Sequence, residues 1–184
     1  MTDTSTPLDV VRPLLRVRQI RDFTPEPVSD DAIEAITEVA RWSGSSQNQQ
    51  PWRFIVVRDD TTVRKIAEMG LPQTRSLTTA TAAVAIAVPS DPKRAVSYAY
   101  DEGRAAERML IAASLLGLGA AIAWILPAIR EPIGELLGLP DGWMVRTIVA
   151  LGHPTAAAMR PKSAPGTARR PREEAVLAER WPKG

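Results

Sequence analysis

Apolar residues recur at helical spacing over Ile33, Ile36, Val39 and Ala40, a stripe that predicts an amphipathic helix ending near Trp42. Ser29 stands where a hydroxyl can cap that helix, and Asp30 and Asp31 suit its positive N-terminal end. The period then changes. Phe54–Val57, Ala82–Pro89, Ala121–Leu126 and Arg146–Gly152 are short apolar runs of strand length. Thr61–Met69 and Glu131–Leu137 read as helices between them, and Val10–Val17 as a short helix before the turn through Pro25 and Pro27. Helices alternate with about four strands, with no internal repeat or low-complexity tract.

The helix expected over Tyr98–Leu116 is the most informative element. Met109, Leu110, Ile111, Ala112, Ala113, Leu115 and Leu116 leave its second half without a polar face, so it must be covered all round. About four short strands offer little material to wrap it, so a second subunit is the economical cover and a homodimer is expected. A monomer with this helix sandwiched centrally is the alternative. Met109–Ile129 carries no charge and is long enough on paper to cross a bilayer. Gly117-Leu118-Gly119 divides it and Pro127 ends it, so helix, glycine turn and strand explain it better than a membrane span.

Composition narrows the chemistry. A chain of 184 residues suits one domain, 1–184, whose residues 155–184 form an extended C-terminal arm. The absence of cysteine excludes disulfides, thiolate nucleophiles and iron–sulfur clusters. The single histidine, His153, leaves no His-clustered metal site, so no metal is expected. It sits in a Gly-His-Pro turn, where a structural role is the better reading. The net charge of +2, with aromatics at 5%, does not suggest nucleic acid. No secretory signal is visible at the N-terminus, which leaves a cytoplasmic location as the default.

Charge is instead concentrated locally. Arg160, Lys162, Arg169, Arg170 and Arg172 fall in a segment with no acidic residue, and Arg16, Arg18 and Arg21 form a second set near the start. Guanidinium groups match phosphate in charge and oxygen geometry, so two such sets fit a phosphorylated cofactor. The loop Ser43–Phe54 adds hydroxyls, amides and Trp52 between a helix end and a strand start. It could hydrogen-bond a planar polar ligand, or simply connect two elements.

Five segments, in order, resemble the flavin-dependent nitroreductase family. Arg18-Gln-Ile-Arg-Asp-Phe23 resembles its opening motif, and Ser45-Ser-Gln-Asn-Gln-Gln-Pro-Trp-Arg-Phe54 its polar loop. Glu107–Gly119 is similar to the central helix with its Gly-Leu-Gly end, Ala150–Pro154 to the last strand, and Arg169–Trp181 to the closing segment. The resemblance implies an α+β homodimer with a central mixed or antiparallel sheet of four to five strands flanked by helices. It also implies that FMN passes hydride from NADH or NADPH to a nitroaromatic, quinone or similar small-molecule acceptor.

Carried over by position, the resemblance places Arg18, Gln19 and Arg169 at the FMN phosphate and Arg21 near the pyrimidine edge, with Gln73 and Arg75 as further candidates there. Ser45, Ser46 and Asn48 would reach the partner subunit's flavin. Backbone groups of Ile125 and Leu126 would face flavin N5, with no side chain acting as a certain catalyst. Gln19 stands where the family usually has serine, Val17 where many members have arginine, and Gly44 where proline often occurs; Arg16 is a neighbouring cation that could compensate for Val17. Trp124 reads equally as core or as a wall of the substrate pocket. A deazaflavin-linked or dehalogenating reductase of the same fold, and a non-catalytic flavin-binding protein, are the alternatives.

Overall fold

A computed structural model describes residues 6–164 and 166–181. The first helix, α1, spans Pro7–Leu15 and begins earlier than the apolar pattern predicts, because Thr6 and Asp9 form a reciprocal capping box ahead of it. The helix α2 spans Asp30–Arg41, with the Ser29 hydroxyl accepting from the Ala32 N–H at 3.3 Å and the chain leaving the helix at Trp42. Strand β1 (Arg53–Val57) and helix α3 (Asp60–Met69) follow, then β2 (Ala82–Pro89), α4 (Ala95–Leu115) and β3 (Gly119–Trp124). The short helix α5 (Arg130–Leu136) leads into β4 (Trp143–Gly152), which is three residues longer at its start than its apolar run suggests. Two short helices, α6 (Ala156–Met159) and α7 (Arg172–Ala175), interrupt the C-terminal arm. Pro165 and residues 182–184 of that arm lie outside the described residues.

The four strands form one sheet in the order β1-β2-β4-β3, and every pairing is antiparallel. The central strand β2 is buried on both faces, and its side chains divide by alternation. Val84, Ile86 and Val88 pack toward α2 and α4, while Ala83, Ala85 and Ala87 pack with residues of α3 and α5. The large side chains fill the space below the central helix, and the alanines let the opposite helices sit close.

The N-terminal segment after α1 runs beside the edge strand β3. Ile20 N–H donates to the Ala120 carbonyl at 2.8 Å, Thr24 N–H donates to His153 at 2.8 Å, and Phe23 bridges to Pro154. Two glycines that pair across β3 and β4 make the approach possible. A Cβ on Gly152 would come within 2.7 Å of the Phe23 side chain, and one on Gly119 within 2.8 Å of Ile20. Ile20 and Phe23 are thereby buried, and the alternating Arg18, Gln19 and Arg21 are left at the surface or half-buried.

Gly117 follows α4 with φ +74°, the left-handed turn that separates it from β3. Met109–Ile129 is therefore helix, turn, strand and a short helical turn. No helix among the described residues is long and apolar enough to cross a membrane. Within one chain the end of α4 stays partly uncovered, consistent with the expectation that a single subunit has too little material to wrap it: Leu115 is 68% exposed, and Leu116, just past the helix, is 49% exposed. The buried stripe runs through Ala105, Ala106, Met109, Leu110, Ala112 and Ala113, while Glu107 and Arg108 face solvent.

Candidate functional site

The fold brings the two ends of the chain together around one cavity of about 740 Å³. Residues 14–22 form one wall and Ala158, Pro161, Lys162, Ser163, Ala168 and Arg169 the other, with Glu107 of α4 also lining it. Arg16, Arg18, Gln19, Arg21, Lys162 and Arg169 all line this space, so the two arginine sets that are far apart in sequence do converge.

Their side chains are not equivalent. The Arg18 guanidinium donates to the carbonyls of Ala158 and Arg160, both at 3.1 Å, and to that of Met159. It therefore caps the carbonyl end of α6 and ties the opening motif to the C-terminal arm. Gln19 is also occupied. Its Oε1 accepts from the Ile122 N–H at 3.3 Å and from Arg21 Nη2 at 2.8 Å, which fixes Arg21 beside β3. Among the described residues the Arg169 guanidinium hydrogen-bonds only to the carbonyl of its neighbour Ala168, at 2.7 Å, and Arg16 and Lys162 make no side-chain hydrogen bond. Three cations at the cavity thus keep most of their donors free.

The other predicted residues lie elsewhere. Arg75 is paired with Asp22 at 2.7 Å, which links it to the cavity rim, and Gln73 is exposed two residues earlier. Ser45, Ser46 and Asn48 do not line the cavity; they sit in the loop after α2, packed against α4. Asp101, 2% exposed on α4, accepts the Ser46 N–H at 3.1 and 3.3 Å through its two oxygens. The Ser45 hydroxyl accepts the Gln50 N–H at 2.8 Å. These bonds hold a loop in which Gln47, Asn48 and Gln50 all have positive φ, near 50°, a costly conformation for residues with a Cβ.

Ile125 and Leu126 follow β3 rather than belonging to it. Ile125 is fully buried, its N–H donates to the Arg146 carbonyl at 2.9 Å, and its own carbonyl accepts from Arg130 Nε at 3.2 Å. The Leu126 carbonyl accepts from the Ile129 N–H at 3.1 Å. Among the described residues the Leu126 N–H has no protein partner. Trp124 is 56% exposed, so it is not core in one chain.

Sequence reasoning missed the buried charges behind this segment. Glu102 on α4 is 2% exposed and accepts from Arg146 Nε at 2.6 Å, while its second oxygen is buried without a partner. Burial pushes the Glu102 carboxyl above its ordinary range, and the Arg146 guanidinium opposes that shift. Burial also lowers Arg130, with the Arg146 charge acting in the same direction. The signal was present: Asp101 and Glu102 stand four residues before Ala105 and Ala106 on the buried stripe of α4.

Comparison with known proteins decides the family. A protein of Archaeoglobus fulgidus with the provisional name NADH dehydrogenase/NAD(P)H nitroreductase is 36% identical over 144 residues, covering 74% of this chain and 80% of that protein. The chain belongs to the nitroreductase family. Residues 16–86 match the family's own model. An NADPH-flavin oxidoreductase of Vibrio harveyi is 27% identical, over 79% of this chain and 66% of its own length. The crystal structure of the Vibrio harveyi NADPH:FMN oxidoreductase with NAD+ superposes with a TM-score of 0.79 at 23% identity, covering 94% of this chain and 78% of that one. The Bacillus subtilis oxidoreductase YcnD gives a TM-score of 0.80 at 25% identity, covering 95% and 75%. The nitroreductase fold is thus present, with the antiparallel four-stranded sheet as its centre.

Proposed function

We propose that this nitroreductase-family chain is an NAD(P)H-dependent FMN oxidoreductase that works as a homodimer and reduces quinones, nitroaromatics or similar small acceptors. Family membership supports flavin-mediated reduction at the expense of NAD(P)H. The observation that carries the choice of FMN is the cavity where Arg16, Lys162 and Arg169 converge with most of their donors free. A terminal phosphate dianion fits that donor set, because it needs several charge-assisted hydrogen bonds within a small radius.

In this reading Arg169, Arg16 and Lys162 hold the phosphate, while Arg18 ties down the arm that carries two of them. Arg21, oriented by Gln19, places a cation at the pyrimidine edge with Arg75 and Gln73 beyond it. The half-buried Leu126 N–H is available to a ring nitrogen. FMN, when bound, supplies the two-electron chemistry that joins nicotinamide to acceptor. The polar loop at Ser45, Ser46 and Asn48 lies outside this chain's cavity, which supports its service to a partner subunit. The exposed Leu115 and Leu116 and the apolar side chains of α1, none of them buried, support the same dimer.

The test is the purified protein's visible spectrum and cofactor content, followed by light scattering with and without flavin. The expected result is a yellow dimer with equimolar FMN, reduced by NADH or NADPH and reoxidised by a quinone. A colourless protein that takes up no added FMN overturns the reading, and a monomer that retains FMN overturns the shared site.

A further inference from the structure

Two acids line the terminal cavity among its basic side chains, and the protein treats them differently. Asp22 is paired with Arg75 at 2.7 Å. Glu107 makes no ion pair and no side-chain hydrogen bond among the described residues, although Arg16, Arg18, Arg21, Lys162 and Arg169 line the same space. The arginines beside it on α4 are spent elsewhere. Arg104 stands one turn earlier, at the spacing where opposite charges on a helix usually meet, yet it donates to the Gly44 carbonyl at 3.4 Å and lies 3.7 Å from Asp101. Arg108 donates to the Trp42 carbonyl at 2.9 Å. The buried Ala106 and Leu110 fix this turn of α4 in the core, so Glu107 is held in place while its carboxylate stays free. Gly103, four residues back, leaves the helix bare beside it, since a Cβ there would meet no atom within 4 Å.

An ionised carboxylate only accepts hydrogen bonds, and it repels an anion brought near it. A bare phosphate would therefore meet donors on one side of the cavity and a like charge on the other. A phosphate that carries hydroxyl groups satisfies both. We propose that Glu107 is a specificity-determining residue of this cavity: its carboxylate accepts hydrogen bonds from the hydroxyls of a polyol joined to the phosphate, so the site takes a sugar-alcohol phosphate in preference to phosphate alone. This rests on the flavin reading above, in which that polyol is the ribityl chain of FMN. The cations then supply affinity for the phosphate, and Glu107 supplies discrimination by what the phosphate is attached to.

The experiment titrates two flavins by fluorescence into the wild type, Glu107→Ala and Glu107→Gln. One is FMN, and the other carries a phosphopentyl chain in place of the ribityl phosphate, so that ring and phosphate are kept and the hydroxyls are lost. Inorganic phosphate is added as a competitor in a second series. The wild type should prefer FMN, and Glu107→Ala should cut that preference about tenfold or more, because a hydrogen bond to a charged acceptor contributes at least that factor. The loss falls on FMN. The phosphopentyl flavin should bind Glu107→Ala as well as or better than the wild type, since the like charge is gone, and inorganic phosphate should compete better in both variants. Glu107→Gln keeps a neutral acceptor oxygen, so it should lose only part of the preference. A preference unchanged in Glu107→Ala, or an equal loss for both flavins, overturns the inference while FMN binding by the wild type stands. Weaker competition by inorganic phosphate in both variants overturns it as well, because Glu107 would then be supporting the phosphate site. A wild type that binds neither flavin overturns the functional reading itself.

Discussion

Two groups of arginines in this molecule are arranged in opposite ways. Around the terminal cavity Arg16, Arg21 and Arg169 are exposed, and Arg16 and Arg169 have most of their donors free. On β4 and α5, by contrast, the half-buried Arg146 is committed to a carboxylate that is 2% exposed, and the half-buried Arg130 to a backbone carbonyl. An exposed cation costs folding little and stays available to a ligand, whereas one drawn partly out of water beside a buried carboxylate is matched within the protein. The arginines of this chain thus divide into those left open to a ligand, which the proposed reading assigns to the cofactor phosphate, and those spent on holding the protein's own groups in place.

The sharpest way to break this contrast is Glu102→Ala. Removing one partner of a buried pair strands the other charge, which costs about 3–5 kcal/mol. For a chain of this size that is a fall in melting temperature of roughly 6–20 °C, read by calorimetry. A loss no larger than that of an exposed ion pair would mean that Arg146 finds water or another acceptor, and the buried half of the comparison would fail.

Arg18 and Arg169 test the boundary between the two groups, because both line the cavity and only one is spent on the protein. Arg18→Ala removes a guanidinium shared by three carbonyls of the α6 end and should cost about 1–3 kcal/mol, with faster proteolysis in the 160–172 segment as the arm is released. Arg169→Ala should leave the apo melting temperature nearly unchanged while weakening FMN about tenfold or more, since a charge-assisted bond contributes about 1.5–3 kcal/mol. Fluorescence titration reads the second effect, with Arg160→Ala as the exposed control. Equal losses of FMN affinity in Arg169→Ala and Arg160→Ala would remove Arg169 from the phosphate site.

Much of this arrangement was legible in the sequence, for reasons that also explain what was not. Strand positions and the α2 cap are local: Ser29 and the apolar run Ala82–Pro89 carry their own signals, and the structure has both. The convergence of the arginine sets was legible through charge and family motifs. The division of labour within them was not, because nothing local tells Arg18 that three carbonyls from residues 158–160 will surround it. The docking of the N-terminal segment is another such case, because Gly119 and Gly152 reveal their purpose only when Ile20 and Phe23 lie against them. The acids of α4 were hidden by their type, since Asp101 and Glu102 read as a solvated face until the buried stripe is followed one turn further back.

The smallest predicted effect concerns protons, and it separates Glu102 from the surface carboxylates. Glu38 is pulled down to about 2 by hydrogen bonds from Arg41 and then Trp42, and Asp9 and Asp59 are lowered by hydrogen bonds from Thr6 and Thr62 respectively. Groups of this kind add stability at neutral pH and lose it on acidification. Glu102 runs the other way. Its carboxyl is raised in the folded state, so its titrating contribution is fully present below the ordinary carboxyl value of about 4.5 and is lost as pH rises through the raised value. Glu102→Gln removes that titration while leaving the lowered surface carboxylates as they are. The melting temperature of the wild type minus that of Glu102→Gln should therefore become more favourable to the wild type as pH falls from neutral toward 4.5. Burial and the Arg146 charge oppose each other at this group, which keeps the change below that of any substitution above. A difference that is flat with pH, or that runs in the opposite direction, would show that the Arg146 pairing outweighs burial and that Glu102 is held as an ordinary ionised partner.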